Sequence, residues 1–201
     1  MSENRRKGGI VSETSPKHRY TYGDYLTWDD AQRYELIDGS IYVMSPAPGR
    51  RHQEVAGEFH RQLANYLLEK ECAVYIAPFD VRLPEREKRD EDIATVVQPD
   101  LVIVCDDNKL DERGCKGAPD LVIEIILPGS AGRDRKTKRE LYQKHGVLEY
   151  WIVDEHQSTV EVYLLNAQKQ YGKPEIYTTQ ERLPVSIFSD LAIDLKMVFK
   201  A

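Results

Sequence analysis

The 201-residue chain has no apolar run approaching the ~20 residues that a membrane-spanning helix needs. Its first twenty residues, MSENRRKGGIVSETSPKHRY, are polar and carry no apolar signal core. We read residues 1–19 as a disordered tail and the protein as cytoplasmic, with no membrane partner. Cysteine is scarce: Cys72, Cys105 and Cys115 are an odd set without CxxC spacing. The expectation is small buried hydrophobes or free thiols rather than zinc ligands or disulfides. Positive charge is not in surplus either. A net charge of −6 argues against a surface coated for non-specific nucleic-acid binding, although not against a local basic groove. Internal repeats and low-complexity segments are also missing.

What is present suits one globular domain over 20–201, with 41% hydrophobic and 31% charged residues. Thr21, followed by Asp24 three positions on, is a variant capping box that predicts a short helix over 21–30. Asp38-Gly39 between two alternating segments is a hairpin signal. It puts Tyr34 and Leu36 on one face and Glu35 and Ile37 on the other. Val55, Phe59, Leu63 and Leu67, spaced by four, predict one apolar stripe on a helix over 51–70. Residues 73–77 read as a strand and 80–83 as a second short one; the charge run EREKRDED reads as a solvated loop, and 106–117 as a polar connection. Two runs, LVIVC and LVIEIIL, each follow a Pro-Asp pair and read as strands covered on both faces. A helix over 133–144 stops at His145-Gly146, and strands follow at 147–153 and 159–165. Strand, helix and strand over 121–153 imply some parallel pairing. The fold class is therefore α/β with a mixed central sheet.

Glu124 is the discordant residue. It sits inside LVIEIIL, on the face shared by Asp120, Val122 and Ile126. A carboxylate there is costly unless it is paired, coordinated or neutralised. Two readings remain open: an ion pair with a nearby Arg or Lys, or a metal ligand at the lip of a cleft. Asp100, after Pro99, could be only a strand-start cap, as could Asp120 after Pro119. If the two strands are neighbours, Asp100 and Glu124 meet, and hard cations are bound by such carboxylates. Asp120 lies about 13 Å along the strand from Glu124, too far to share one ion with it. On the following helix, Asp134, Lys138 and Tyr142 share one face. Lys138 is then either half of a surface pair with Asp134 or a cation beside Glu124. His52, at a helix start, is expected to have its pKa lowered by the helix dipole. Positive charge clusters at Arg133, Arg135, Lys136, Lys138 and Arg139, and again at Arg50, Arg51 and His52.

Several stretches in order carry a resemblance: YELIDGSIYVMSPAP, HQEV, APFDVRL, QPDLVIV, GAPDLVIEIILP, the D-x3-K-x3-Y helix and GVLEYWIVD. From Thr21 onward the chain resembles the Uma-type endonuclease family, a branch of the PD-(D/E)xK restriction-endonuclease-like superfamily. The resemblance implies a three-layer α/β core with a mixed central sheet flanked by helices. It also implies phosphodiester cleavage, of DNA in the first place, dependent on Mg²⁺ or Mn²⁺. Asp100 matches the PD aspartate and Glu124 the acidic residue of the (D/E)xK strand; together they are the expected metal ligands. Ile126 stands where the superfamily lysine would be, and Lys138 on the next helix matches the displaced lysine. Glu35 and His52 match further family positions at the cleft edge. The family's S-P-S/T after the glutamate strand is replaced by Leu127-Pro128-Gly129-Ser130. Arg50, Arg51, Arg133, Arg135, Lys136 and Arg139 would then track a nucleic-acid backbone, which positions substrate without reading sequence. Superfamily nucleases often pair to cut two strands, so a homodimer is compatible with this reading. EYWIV could lie at such an interface or in the core. The alternative is a catalytically silent nuclease fold kept for nucleic-acid binding or assembly.

Overall fold

The computed structural model describes residues 18–29, 32–44, 47–126 and 131–200, with the side chains of 131–134 outside the description. The expected tail therefore lies outside the described residues except for 18 and 19. Those two are packed: the His18 and Tyr20 rings meet edge to face, and Arg19 lies against Gly39.

The capping box forms as expected. Asp24 accepts the Thr21 backbone N–H at 2.8 Å, and Thr21 Oγ1 accepts that of Asp24. The helix it starts, α1 (Tyr22–Tyr25), ends sooner than the pattern suggested. Strands β1 (Tyr34–Ile37) and β2 (Ser40–Val43) form the hairpin. Its turn needs positive φ at both central residues, and Asp38 and Gly39 have φ of 50° and 78°. A Cβ on Gly39 would also meet Arg19 Cγ at 2.0 Å. The long helix α2 (Arg50–Leu67) buries the predicted stripe. Then come β3 (Ala73–Ile76), β4 (Val81–Arg82), β5 (Val96–Val97), β6 (Leu101–Val104), β7 (Leu110–Asp111), β8 (Gly114–Lys116) and β9 (Leu121–Ile126). Helix α3 (Ala131–His145) crosses to β10 (Glu149–Asp154), followed by β11 (Thr159–Leu164), β12 (Glu175–Thr178), β13 (Arg182–Pro184), β14 (Ala192–Asp194) and α4 (Leu195–Val198).

The central sheet has the order β12-β11-β10-β9-β6-β3. It is mixed: β9 and β10 are parallel, as the crossover requires, and the other pairs are antiparallel. Alternation sorts its side chains onto two faces. Leu101, Ile103, Leu121, Ile123, Trp151 and Val153 pack with Val55, Phe59, Leu63 and Leu67 of α2. Val102, Val104, Val122, Tyr150 and Ile152 pack with Leu141 and Tyr142 of α3. This is the layered α/β architecture expected, and it places EYWIV in the core.

The sequence pattern does not show the second sheet, ordered β2-β1-β5-β4-β8-β7. Its hairpin is expected, and β4 lies where 80–83 reads as a short strand, but β5 has only two residues, too short for period-two alternation to register, and β7 and β8 lie within the stretch read as a polar connection. It is tied together by Arg82, which is fully buried and pairs with Asp90 and, at 2.6 Å, with Asp111. Asp90 also receives Lys116 at 2.6 Å. The run EREKRDED is thus not uniformly a solvated loop. Its Asp90 begins a short 3-10 helix and pairs with the buried Arg82.

A second correction concerns the cysteines. In the β3–β6 ladder Ala73 faces Val104, so Cys72 and Cys105 are the next pair outward, and they form a disulfide. Antiparallel pairing makes lateral neighbours of residues 33 apart in sequence, which spacing rules do not reveal. Cys115 alone matches the expectation, as a free and buried thiol.

Candidate active site

Each site residue is placed by the strand or helix period. In the β6–β9 ladder Leu101 faces Ile123 and Val102 faces Val122. Continuing that register brings Asp100 beside Glu124 at the strand ends. Asp100 Oδ2 accepts the Ile125 N–H at 2.7 Å, and Asp120 Oδ2 accepts the Cys105 N–H at 2.8 Å. Asp120 is therefore the strand-start cap, while Asp100 faces a cleft. That cleft has a volume of about 240 Å³; Glu35, His52, Asp100, Glu124, Arg135 and Lys138 are among its lining residues.

The ion-pair reading of Glu124 holds, and the residue lines that cleft. It is buried and it is paired: Lys138 Nζ donates to Oε1 at 2.9 Å, and Tyr142 Oη donates to the same oxygen at 2.6 Å. Lys138 also donates to Glu35 Oε1 at 2.8 Å, and that oxygen accepts the Gln98 N–H at 2.9 Å. Burial pushes the Glu124 carboxyl above its ordinary range. Lys138 opposes that rise, and the nearby charges of Glu35 and Asp100 add to it. Burial alone would discharge Lys138, but Glu124 and Glu35 outweigh it, so its pKa is raised and it stays protonated. The two shifts pull on one ion pair in opposite senses. The ammonium remains charged, and the strain falls on Glu124 because it shares that cation with Glu35 and also lies beside Asp100. The Tyr142 phenol is held far above its usual pKa by burial and the same carboxylates, which makes it a neutral donor.

His52 lies on the first turn of α2, buried, with Nε2 3.3 Å from Asp100 Oδ2. Burial lowers its pKa. The hydrogen bond and charge of Asp100, with Glu155 further away, overcome this, so the net shift is upward. The helix-dipole expectation of a lowered pKa is therefore reversed, because a carboxylate within bonding distance outweighs a partial charge.

The basic residues are more committed than the sequence suggested. Arg50 pairs with Glu54, and Arg51 donates to the Glu155 carbonyl. Arg135 pairs with Glu161 at 2.8 Å and Asp154 at 3.6 Å, and Arg139 lies over the Tyr163 ring. Lys136 is exposed, with Glu140 at 3.9 Å. The side chain of Arg133 lies outside the described residues. Sequence reasoning placed Tyr142 on the right helix face but gave it no role, and it overlooked Gln98 and Arg33. The alternation of Arg33 with Glu35 on one strand face was the available signal for Arg33.

Among the described residues no group of three or more His, Cys, Asp or Glu side chains forms a ready metal cage. Asp100 Oδ1 and Glu124 Oε2 receive no hydrogen bond from the described residues. Two carboxylate oxygens of this kind fit a hard divalent cation that keeps waters and takes further ligands from a phosphate.

A layered α/β core with carboxylates from two adjacent strands, and a lysine reaching one of them from the crossover helix, defines a restriction-endonuclease-like protein. The chain belongs to the Uma2 family, described as "Putative restriction endonuclease", whose model matches residues 22–196. It is 23% identical over 158 residues to an uncharacterized protein of Synechocystis, covering 77% of this chain and 79% of that one. It also resembles the crystal structure of a "putative nuclease belonging to DUF820" from Anabaena variabilis. The TM-score is 0.70 at 20% identity, over 89% of this chain and 97% of the other, and this likeness concerns the fold.

Proposed function

We propose that this protein is a divalent-metal-dependent phosphodiester hydrolase that cleaves nucleic acid internally, DNA in the first place. One observation carries the reading: Glu35, Asp100 and Glu124 converge on a cleft where a single ammonium, Lys138, is bonded to two of them. Such an excess of negative charge in a partly desolvated cavity favours a cation. Family membership supports the nuclease chemistry.

Asp100 and Glu124 would hold Mg²⁺ or Mn²⁺, which supplies an activated water and polarises the scissile phosphate. The protein's own groups do the rest. The Ile125 N–H and His52 fix Asp100 through one oxygen. Lys138 and Tyr142 fix Glu124 in the same way. The Lys138 ammonium would stabilise the negative charge that builds on the phosphate oxygens. Glu35 and Glu124 together anchor that ammonium, so it need not reorganise during reaction. Arg50, Arg51, Lys136 and Arg139, with Arg133, would steady the backbone outside the cleft. The test is cleavage of single- and double-stranded DNA and RNA in Mg²⁺ or Mn²⁺ against EDTA. Failure to cut any form, together with unchanged metal binding in Glu124→Ala, overturns the proposal.

A second reading is a nuclease fold kept for binding or assembly without turnover. What favours it is that Arg50, Arg51 and Arg135 already have protein acceptors. Salt-dependent DNA binding in EDTA, with no cleavage on adding Mn²⁺, would select it.

A further inference from the structure

Arg33 lines the same cleft, and its charge is the least committed of those there. Lys138 is paired with Glu35 and Glu124, and Arg135 with Glu161 and Asp154. Arg33 has no carboxylate partner among the described residues. Its guanidinium is held by a neutral group: Nε and Nη2 donate to Gln98 Oε1 at 2.9 and 2.6 Å. That hold is itself anchored. Gln98 is buried, and its Nε2 donates to Asp80 Oδ1 at 2.7 Å and to Tyr25 Oη at 3.0 Å. The amide must therefore turn its oxygen to Arg33 and its NH₂ to Asp80, since the reverse would set oxygen against a carboxylate. Arg33 and Glu35 are two residues apart at the start of β1, so they share the cleft face about 7 Å apart along the strand. Opposite them the Met44 N–H bonds to the Arg33 carbonyl, and Tyr42 pairs in register with Glu35.

We propose that Arg33 is a substrate-binding residue that takes a phosphate of the nucleic-acid backbone next to the scissile one, with Gln98 as its positioning residue. This rests on the nuclease reading. A neutral acceptor fixes the fork without cancelling its charge, which is what an anion site needs. A carboxylate in the place of Gln98 would fix it equally well and abolish the attraction. The bound fork also loses little further side-chain freedom when a phosphate arrives.

The test is oligonucleotide affinity in Ca²⁺ over a salt series, with cleavage in Mg²⁺ followed in parallel, for the parent protein, Arg33→Gln and Arg33→Lys. Arg33 is solvent-exposed, so the substitutions should leave the melting temperature in place. Arg33→Gln should bind about tenfold more weakly. Its log–log salt slope should fall by about one phosphate's worth, ~0.9 for duplex or ~0.7 for single strand. Arg33→Lys should recover the slope but only part of the affinity. Parent-like affinity and slope in Arg33→Gln would overturn the proposal while leaving the nuclease reading intact. Weaker binding with an unchanged slope would also overturn it, because the loss would then be structural. A parent protein that neither binds nor cuts nucleic acid would remove both.

Discussion

Arg82 and Lys138 are both largely withdrawn from solvent, and their surroundings differ in one respect. Arg82, in the second sheet, meets Asp90 and Asp111, and Asp90 also meets Lys116. Two carboxylates face two cations, and the Tyr22 ring lies 5.5 Å from the guanidinium. Lys138 meets Glu35 and Glu124, with Asp100 beside them and a cleft in front. Two of the three carboxylates share one ammonium, the third has only His52 beside it, and Arg33 lines the same cleft without bonding to any of them. The first cluster is electrically closed, so its work is to join a 3-10 helix and three short strands that have too little apolar surface to hold themselves. The second has a carboxylate, Asp100, that Lys138 does not reach, and the proposed metal site rests on that imbalance. Burial alone does not separate the two, since Arg82 is the more deeply buried residue. Charge balance does.

The sharpest way to break this contrast is to remove one carboxylate from the open cluster. Glu124→Gln keeps shape and an acceptor, and Lys138 keeps Glu35 at 2.8 Å, so no buried charge is orphaned. We expect cleavage in Mg²⁺ to fall by on the order of 10³-fold, while the melting temperature stays within a few degrees of the parent. Single-turnover cleavage and a thermal melt measure the two. A large fall in stability with the activity would make the cluster structural, like that of Arg82. The converse substitution, Arg82→Met, should cost about 3 kcal/mol in urea unfolding. That is the low end for a broken buried pair, because Asp111 is half-exposed and can be rehydrated. Metal binding by the folded fraction should be unchanged.

The next effect is smaller and depends on pH. The Glu124 carboxyl has a folded-state pKa above its ordinary 4.5. The folded state therefore binds its proton more tightly than the unfolded chain does. Without metal, the contribution of this group to stability is full below pH 4.5 and falls as pH rises towards the folded value. A divalent cation competes with that proton. The rise in melting temperature on adding Mn²⁺ should thus be larger at pH 8 than at pH 5.5. At a hundredfold excess over Kd the added stability approaches about 2.7 kcal/mol. Asp100→Asn should remove most of it. A shift that is independent of pH would mean that Glu124 does not bind the ion.

These two clusters were unequally legible in the sequence. Glu124 stood out because period-two alternation leaves a carboxylate nowhere to go inside LVIEIIL. Asp100 and Lys138 were legible only as conditional partners, if two strands were neighbours and one helix face turned to the cleft, and the family resemblance supplied that choice. Arg82 did not stand out. Its strand is two residues long, and its partners lie 8 and 29 positions away, in a charge run and in a loop. The same limit hid the Cys72–Cys105 bridge, which exists only once β3 and β6 are in register. The shift of His52 also depended on a tertiary neighbour, Asp100, and no local rule for helix starts could supply it. Local periodicity thus showed which residues are out of place, whereas pairing across the fold decided what they touch.

The smallest change separates the role of charge from that of a hydrogen bond within the open cluster. Tyr142→Phe removes only the hydroxyl that donates to Glu124 Oε1, and its ring remains packed against Tyr150 at 4.9 Å. Lys138 still donates to the same oxygen, so the carboxylate is not left bare. The expected loss of stability is about 1 kcal/mol, that of one net hydrogen bond. Loss of this donor also lets the Glu124 pKa drift further upward, so Mn²⁺ affinity should weaken severalfold at pH 7 and recover at higher pH. Cleavage at saturating metal should then be nearly that of the parent. If instead saturating metal and high pH leave cleavage as depressed as in Glu124→Gln, the phenol acts on the substrate directly. Orienting Glu124 would then be only part of its work.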